Sequence, residues 1–214
     1  MKKCMYSLIL NEDVVNEIDR LAYERGTNRS NLINGILAEY CRMVTPEMHI
    51  KNIFDQIFSM FEGTQFLPAK VPNSGIMAIK TSLDYKYHPT VKYEVQLLHG
   101  RGRAEGNLRV GLRTQNSELL RVLADFFNKL SVCEAKYSPR ENYEPFVFDG
   151  AKFVKPLDLG ELGEADVTDV AATINAYVRV INDMLNSYFA GKYSCDEEFE
   201  KDYLNHISAM PIII

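Results

Sequence analysis

No apolar run in this 214-residue chain approaches the ~20 residues needed to cross a bilayer. No membrane-spanning helix and no membrane partner are therefore expected. Cysteine and histidine are scarce, four of each. Cys4, Cys41, Cys133 and Cys195 lie far apart and fit no zinc or redox spacing; they are expected to be reduced and mostly buried. His49, His88, His99 and His206 are isolated, none at helical spacing from another His or Cys, so no metal site is expected. His99-Gly100-Arg101-Gly102-Arg103 has glycines beside arginines, but no GK[ST] follows and no helix opens directly after it, which makes it a hairpin loop and not a phosphate cradle. Cys195-Asp196-Glu197-Glu198 lacks EF-hand spacing and reads as an acid-rich first helical turn. Asp166 and Asp169 read as helix caps. No nucleophile–base constellation and no internal repeat is visible, so no catalytic residue and no cofactor is assigned, and enzyme activity is not expected.

The rest of the composition is that of an ordinary globular chain, 46% hydrophobic and 25% charged. The start, Met1-Lys2-Lys3-Cys4-Met5, resembles the charged head of a signal peptide, but Asn11, Glu12 and Asp13 cut the apolar stretch short of the ~7–15 residues of an h-region. A cytoplasmic location is expected. Net charge is −5, unevenly spread. Residues 1–45 are neutral, with six Lys/Arg and six Asp/Glu, and residues 70–113 carry eight Lys/Arg against three acids. Residues 114–214 carry nine against seventeen. The basic stretch holds Lys70, Lys80, Lys86, Lys92, Arg101, Arg103, Arg109 and Arg113, with Tyr85, Tyr87 and Tyr93 nearby. Interleaved cations and aromatics suit single-stranded nucleic acid; the preferred reading is the solvated face of an antiparallel sheet.

Three divisions are expected: 1–45, a connecting helix and linker over 46–69, and an α+β domain over 70–214 with an antiparallel sheet and helices. Met5–Leu10 alternates, with Tyr6, Leu8 and Leu10 on one side, as a half-buried strand does. Asn11 is a helix N-cap with Glu12 and Asp13 behind it. A helix over about 12–25 carries Val14, Val15, Ile18, Leu21 and Ala22 on one stripe and stops at Gly26. Ser30 reads as the next N-cap, for a helix to about Met43 with Leu32, Ile33, Ile36, Leu37 and Tyr40 inward. Thr45-Pro46-Glu47 opens a third helix, to Phe61. Residues 64–75 read as linker. Strands are expected over 76–85, 91–98 and 107–113, a helix from Asn116 or Ser117 to about Leu130, and irregular chain over 131–164 with a short strand near Phe146–Phe148. A helix over about 166–188 follows, with Val167, Val170, Ala171, Ile174, Val178, Ile181 and Leu185 inward, then a short acidic helix over 196–206. Residues 210–214 read as an edge strand.

The order strand, helix, glycine turn, Arg29-Ser30, helix within the first 44 residues resembles the ribbon-helix-helix repressor family, over "LxLNEDVVNEIDRLAYERGTNRSNLINGILAEY". About a fifth of the chain is covered. The resemblance implies an obligate two-fold dimer in which two copies pair their strands and present the ribbon to the major groove of double-stranded DNA. Independent physics points the same way. Some 44 residues with one strand cannot bury two helix stripes alone, and a lone strand leaves its backbone groups unpaired.

With Tyr6, Leu8 and Leu10 turned inward, Met5, Ser7 and Ile9 face the groove; the resemblance makes these the base-reading positions. The family pattern favours polar or basic residues there, and of the three only Ser7 can hydrogen-bond a base edge. Lys2 and Lys3 are placed to reach phosphates. Asn28, Arg29, Ser30 and Asn31, at the start of the second helix, form a natural phosphate clamp. The expected function is a homodimeric transcriptional regulator whose second domain dimerises further, senses a ligand or binds a partner. The alternative is a protein-interaction module, such as an antitoxin, partition adaptor or inhibitor, whose residues 70–214 hold a protein partner.

Overall fold

Thr45-Pro46-Glu47 does what its chemistry requires. The Thr45 hydroxyl oxygen accepts the Met48 N–H at 3.2 Å and the proline occupies the first helical turn. The computed structural model describes residues 4–71, 75–99, 103–138, 143–161 and 167–208. Helices α1 (Glu12–Glu24), α2 (Arg29–Tyr40) and α3 (Pro46–Phe61) come before any strand. The chain then forms β1 (Leu67–Val71), β2 (Ile76–Ser82), β3 (Thr90–His99) and β4 (Arg103–Arg113). Helix α4 (Ser117–Tyr137), strands β5 (Val147–Phe148) and β6 (Phe153–Glu161), and helices α5 (Val167–Phe189) and α6 (Asp196–Ile207) complete it. The class is α+β, as expected, with one antiparallel sheet in the order β1-β2-β3-β4-β6-β5.

The two-residue period of the strands divides this sheet into unlike faces. Rows such as Met77–Val95–Leu108–Lys155 and Ile79–Tyr93–Val110–Phe153 run across it on the inner face, where every member is buried. Helix α5 lies in the core with Val170, Ala171, Ile174, Val178, Ile181 and Leu185 all buried. Phe61, Phe126, Phe127 and Phe199 bring α3, α4 and α6 into the same core. The Tyr93 hydroxyl donates to Asn182 Oδ1 at 3.2 Å and so pins β3 to α5. The outer rows carry Lys80, Lys92, Glu94, Gln96, Asn107 and Arg109, exposed or partly exposed. Lys80, Lys92, Arg109 and Arg113 of the basic stretch thus lie on a solvated sheet face, whereas Lys70 stands in register with Met77 and pairs with Asp55, Lys86 lies between β2 and β3, and Arg101 lies outside the described residues.

Several expectations need correction. Residues 64–75 are not all linker, because β1 pairs with β2 through them; Pro68 is tolerated there since β1 is an edge strand. Residues 131–164 are not all irregular. Helix α4 continues to Tyr137, and β6 fills the position between β4 and β5. Pro156 sits where β6 has no outer neighbour, since β5 spans only Val147–Phe148. The cap of α2 is Asn28, not Ser30, and its side chain accepts the Asn31 N–H at 2.9 Å. The expected strand over 210–214 and the suggested cap Asp166 lie outside the described residues.

Candidate nucleic-acid interface

The expected strand Met5–Leu10 is not formed in the single chain. Residues 4–11 have no ladder partner among the described residues, and a strand is only stable when another strand satisfies its N–H and C=O groups. All of its residues are exposed, and the exposures alternate only over Leu8, Ile9 and Leu10. Met5 is 99% exposed and Ile9 102%, against 56% for Leu8 and 40% for Leu10. Of the three residues assigned inward, Leu8 and Leu10 are the more covered, but Tyr6 is 84% exposed.

Behind this segment α1 and α2 form a hairpin. The Thr27 N–H donates to Ala22 O at 2.8 Å and the Gly26 N–H to Tyr23 O at 3.0 Å, with Gly26 in the left-handed conformation at φ 59°, the glycine-terminated helix end expected here. From Cys4 to Val44 only Ala22 and Leu32 are buried. Val14, Ile36, Leu37, Tyr40, Met43 and Val44 are exposed.

Asn28, Arg29, Ser30 and Asn31 come together as the cap and first turn of α2. Arg29 is not waiting for a phosphate. Its Nε donates to Asp19 Oδ1 at 2.7 Å and its second guanidinium nitrogen to Asp19 Oδ2, which holds the Asp19 carboxyl below its ordinary range. Arg20 is likewise engaged by Glu17 and Glu24. Lys2 and Lys3 lie outside the described residues.

The structure also assembles a group the sequence reading missed. Lys155 projects from β6 into the core and donates to Glu134 Oε2 at 2.8 Å and to the Tyr177 hydroxyl at 3.0 Å. Tyr177 donates in turn to Glu134 Oε1, and the Tyr143 hydroxyl to Glu134 Oε2 at 2.8 Å. The ammonium lies 5.0 Å from the Tyr177 ring centre and 5.2 Å from that of Tyr143, within cation–π range. Burial, and then the Glu134 charge, push the Tyr177 and Tyr143 hydroxyls well above their ordinary range. The available signal was a lysine in the inward register of the pattern Phe153-Lys155-Leu157. These groups satisfy one another inside the fold.

A cleft of about 380 Å³ lies between α4, the end of α5 and the start of α6. Its polar groups are already engaged: Lys129 with Asp196, and the Tyr188 hydroxyl with Asp125. Cys195 lines it as the N-cap residue of α6. All four thiols are free, and only Cys133 is buried, which corrects the expectation of mostly buried cysteines. Among the described residues no group of His, Cys, Asp and Glu is placed to hold a metal, and no helix is long and apolar enough to cross a membrane. No family model, no curated protein and no solved structure matches this chain.

Proposed function

We propose that the chain is a homodimeric DNA-binding transcriptional regulator that inserts a two-stranded ribbon into the major groove. One observation carries this reading: the apolar side chains of residues 5–44 left uncovered by the described residues of their own chain. Leu8, Leu10, Val14, Ile36, Leu37 and Tyr40 form a contiguous sequence pattern of strand and helix stripes, and uncovered apolar surface of this kind marks an association site. A second copy supplies the missing half by symmetry. Its residues 5–10 pair antiparallel with the first, which satisfies both backbones, and its helices cover the stripes. Met5, Ser7 and Ile9 then line the outer side of the ribbon, beside the α2 amides at Arg29 and Ser30. The α+β domain of residues 70–214 carries further dimerisation, ligand or partner binding.

The engagement of Arg20 and Arg29 by carboxylates favours a second reading, a module that dimerises without DNA and leaves the larger domain to hold a protein partner. A gel shift on the DNA upstream of the gene, run beside sedimentation of the same protein, decides between them. The regulator gives a dimer at micromolar concentration and a retarded band that fades steeply with salt. A dimer with no retarded band selects the interaction module, and a monomer rejects both.

A further inference from the structure

The outer sheet face gathers cations that the inner packing does not require. Lys80 on β2 stands directly opposite Lys92 on β3, and Gly111 on β4 completes that row. Gly111 has no side chain, and the vacated space is taken by the stem of Lys152, whose Cγ would lie 3.2 Å from a Cβ placed there. A third ammonium therefore joins the row. Arg109 and Arg113 flank it along β4, and their neighbours in register on β3 are Glu94 and Thr90.

The carboxylates do not balance this set. Glu94 is shared between Lys92 and Lys152 and can neutralise one of them. Asp149, which also accepts the backbone N–H groups of Ala151 and Lys152, lies near Arg109 and Lys152 and offsets a second, which leaves five cations against two carboxylates. Arg109 Nε is covered and has no hydrogen-bond partner among the described residues. Like charges directly opposite on neighbouring strands destabilise a sheet, so Lys80 facing Lys92 is unfavourable for folding alone. In a chain of net charge −5 this is a segregated positive field.

We infer that this face, centred on Lys80, Lys92, Lys152, Arg109 and Arg113, is a second nucleic-acid surface that takes the phosphodiester backbone of duplex DNA. The charge complementarity selects a polyanion. The choice of duplex over single strand follows from the side chains between the cations. Ala78, Gln96, Asn107, Gly111 and Val154 offer no aromatic platform, and single-strand binding draws its affinity from stacked bases. Contacts of this type position a protein on DNA without reading sequence. The surface belongs to the sheet, so it acts whether or not residues 5–10 form a ribbon.

The test uses the full chain carrying Ile9→Asp, which removes the proposed ribbon contact, and a short duplex of arbitrary sequence at low salt. Glu94→Gln removes the carboxylate shared by Lys92 and Lys152 and tightens binding about fivefold, the effect of one unit-charge contact near water. Lys80→Gln with Lys92→Gln and Lys152→Gln weakens binding and lowers the slope of log K against log salt by about two to three. All four side chains project from the outer face, and circular dichroism checks that the fold persists. Unchanged affinity and slope in both variants overturn the inference, as does binding of the matched single strand at equal or greater strength. If Ile9→Asp itself leaves DNA binding untouched while these variants respond, the ribbon proposal fails and the sheet face stands.

Discussion

Lys155 Nζ lies 2.8 Å from Glu134 Oε2, and both side chains are only 3% exposed. A buried pair of this kind gains little over an apolar replacement of both partners, but loss of one partner strands the other charge in the core. Glu134→Gln is therefore expected to destabilise the protein by about 3–5 kcal/mol, since it leaves the Lys155 ammonium without a counter-charge. Lys155→Met together with Glu134→Leu is expected to recover most of that loss, short of the hydrogen bonds that Tyr143 and Tyr177 then lack. Chemical denaturation of both variants measures it. A single variant as stable as wild type would show that the ion pair is not what holds α4 to β6.

Alkaline pH attacks the same region by a defined route. Burial raises the ionisation of Tyr93, Tyr143, Tyr177 and Tyr203 above the ordinary tyrosine value. In the unfolded chain these hydroxyls ionise near pH 10, so above that value the unfolded state binds fewer protons than the folded one. Stability is fully present below about pH 10 and falls as pH rises beyond it. A spectrophotometric titration is expected to set Tyr93, Tyr143, Tyr177 and Tyr203 apart as a class that ionises only with loss of the far-ultraviolet helix signal. A single smooth transition for all tyrosines would contradict the burial.

The elements read correctly from sequence are those whose physics is local. Asn116 caps α4 by accepting the Glu118 and Leu119 N–H groups, and the stripe of α5 is buried as its spacing requires. Apart from the α2 cap, which is Asn28 and not Ser30, the errors of element assignment lie where a distant neighbour decides. β1 contains a proline and is a strand only because β2 lies beside it. The last seven residues of α4 were lost because Glu134 interrupts the apolar stripe, and Glu134 is buried only because Lys155, 21 residues on, meets it. The outer cations were legible one by one, but their assembly needed the register that sets Lys80 against Lys92 and opens Gly111 to Lys152. The Met5–Leu10 pattern is the opposite case, a period-two signal for which the described residues supply no partner strand.

Two glycines separate tight from open packing. A Cβ on Gly106 would lie 2.5 Å from the Gln96 carbonyl oxygen, a backbone atom that cannot step aside. Gly106→Ala is expected to cost roughly 1–3 kcal/mol, the usual range for overpacking, and to perturb the β3–β4 pairing. Gly35, within α2, has nothing within 4 Å of the same position. Gly35→Ala is expected to stabilise the helix by up to about 1 kcal/mol. Thermal unfolding compares the two. A destabilising Gly35→Ala that depends on protein concentration would instead place another copy against that face of α2.

Adjacent residues on the N-terminal segment give the sharpest contrast. Leu8 is assigned to the helix side of a shared ribbon and Ile9 to its DNA side, and the same substitution at each is expected to fail differently. Leu8→Asp removes one apolar anchor from each of two copies. Each anchor is worth roughly 1.5–3 kcal/mol when buried, so the dimer weakens by on the order of a hundredfold or more, and sedimentation at micromolar concentration shifts toward monomer. Ile9→Asp leaves that association intact and puts a carboxylate against the phosphates, which removes specific DNA retention at physiological salt. Because the period of a strand is two residues, a register error of one would exchange these phenotypes. If Ile9→Asp dissociates the dimer and Leu8→Asp spares it, the faces are reversed. If neither changes association or DNA binding, residues 5–10 form no ribbon at all, since a shared two-stranded ladder cannot accept an aspartate on both of its faces without a measurable loss.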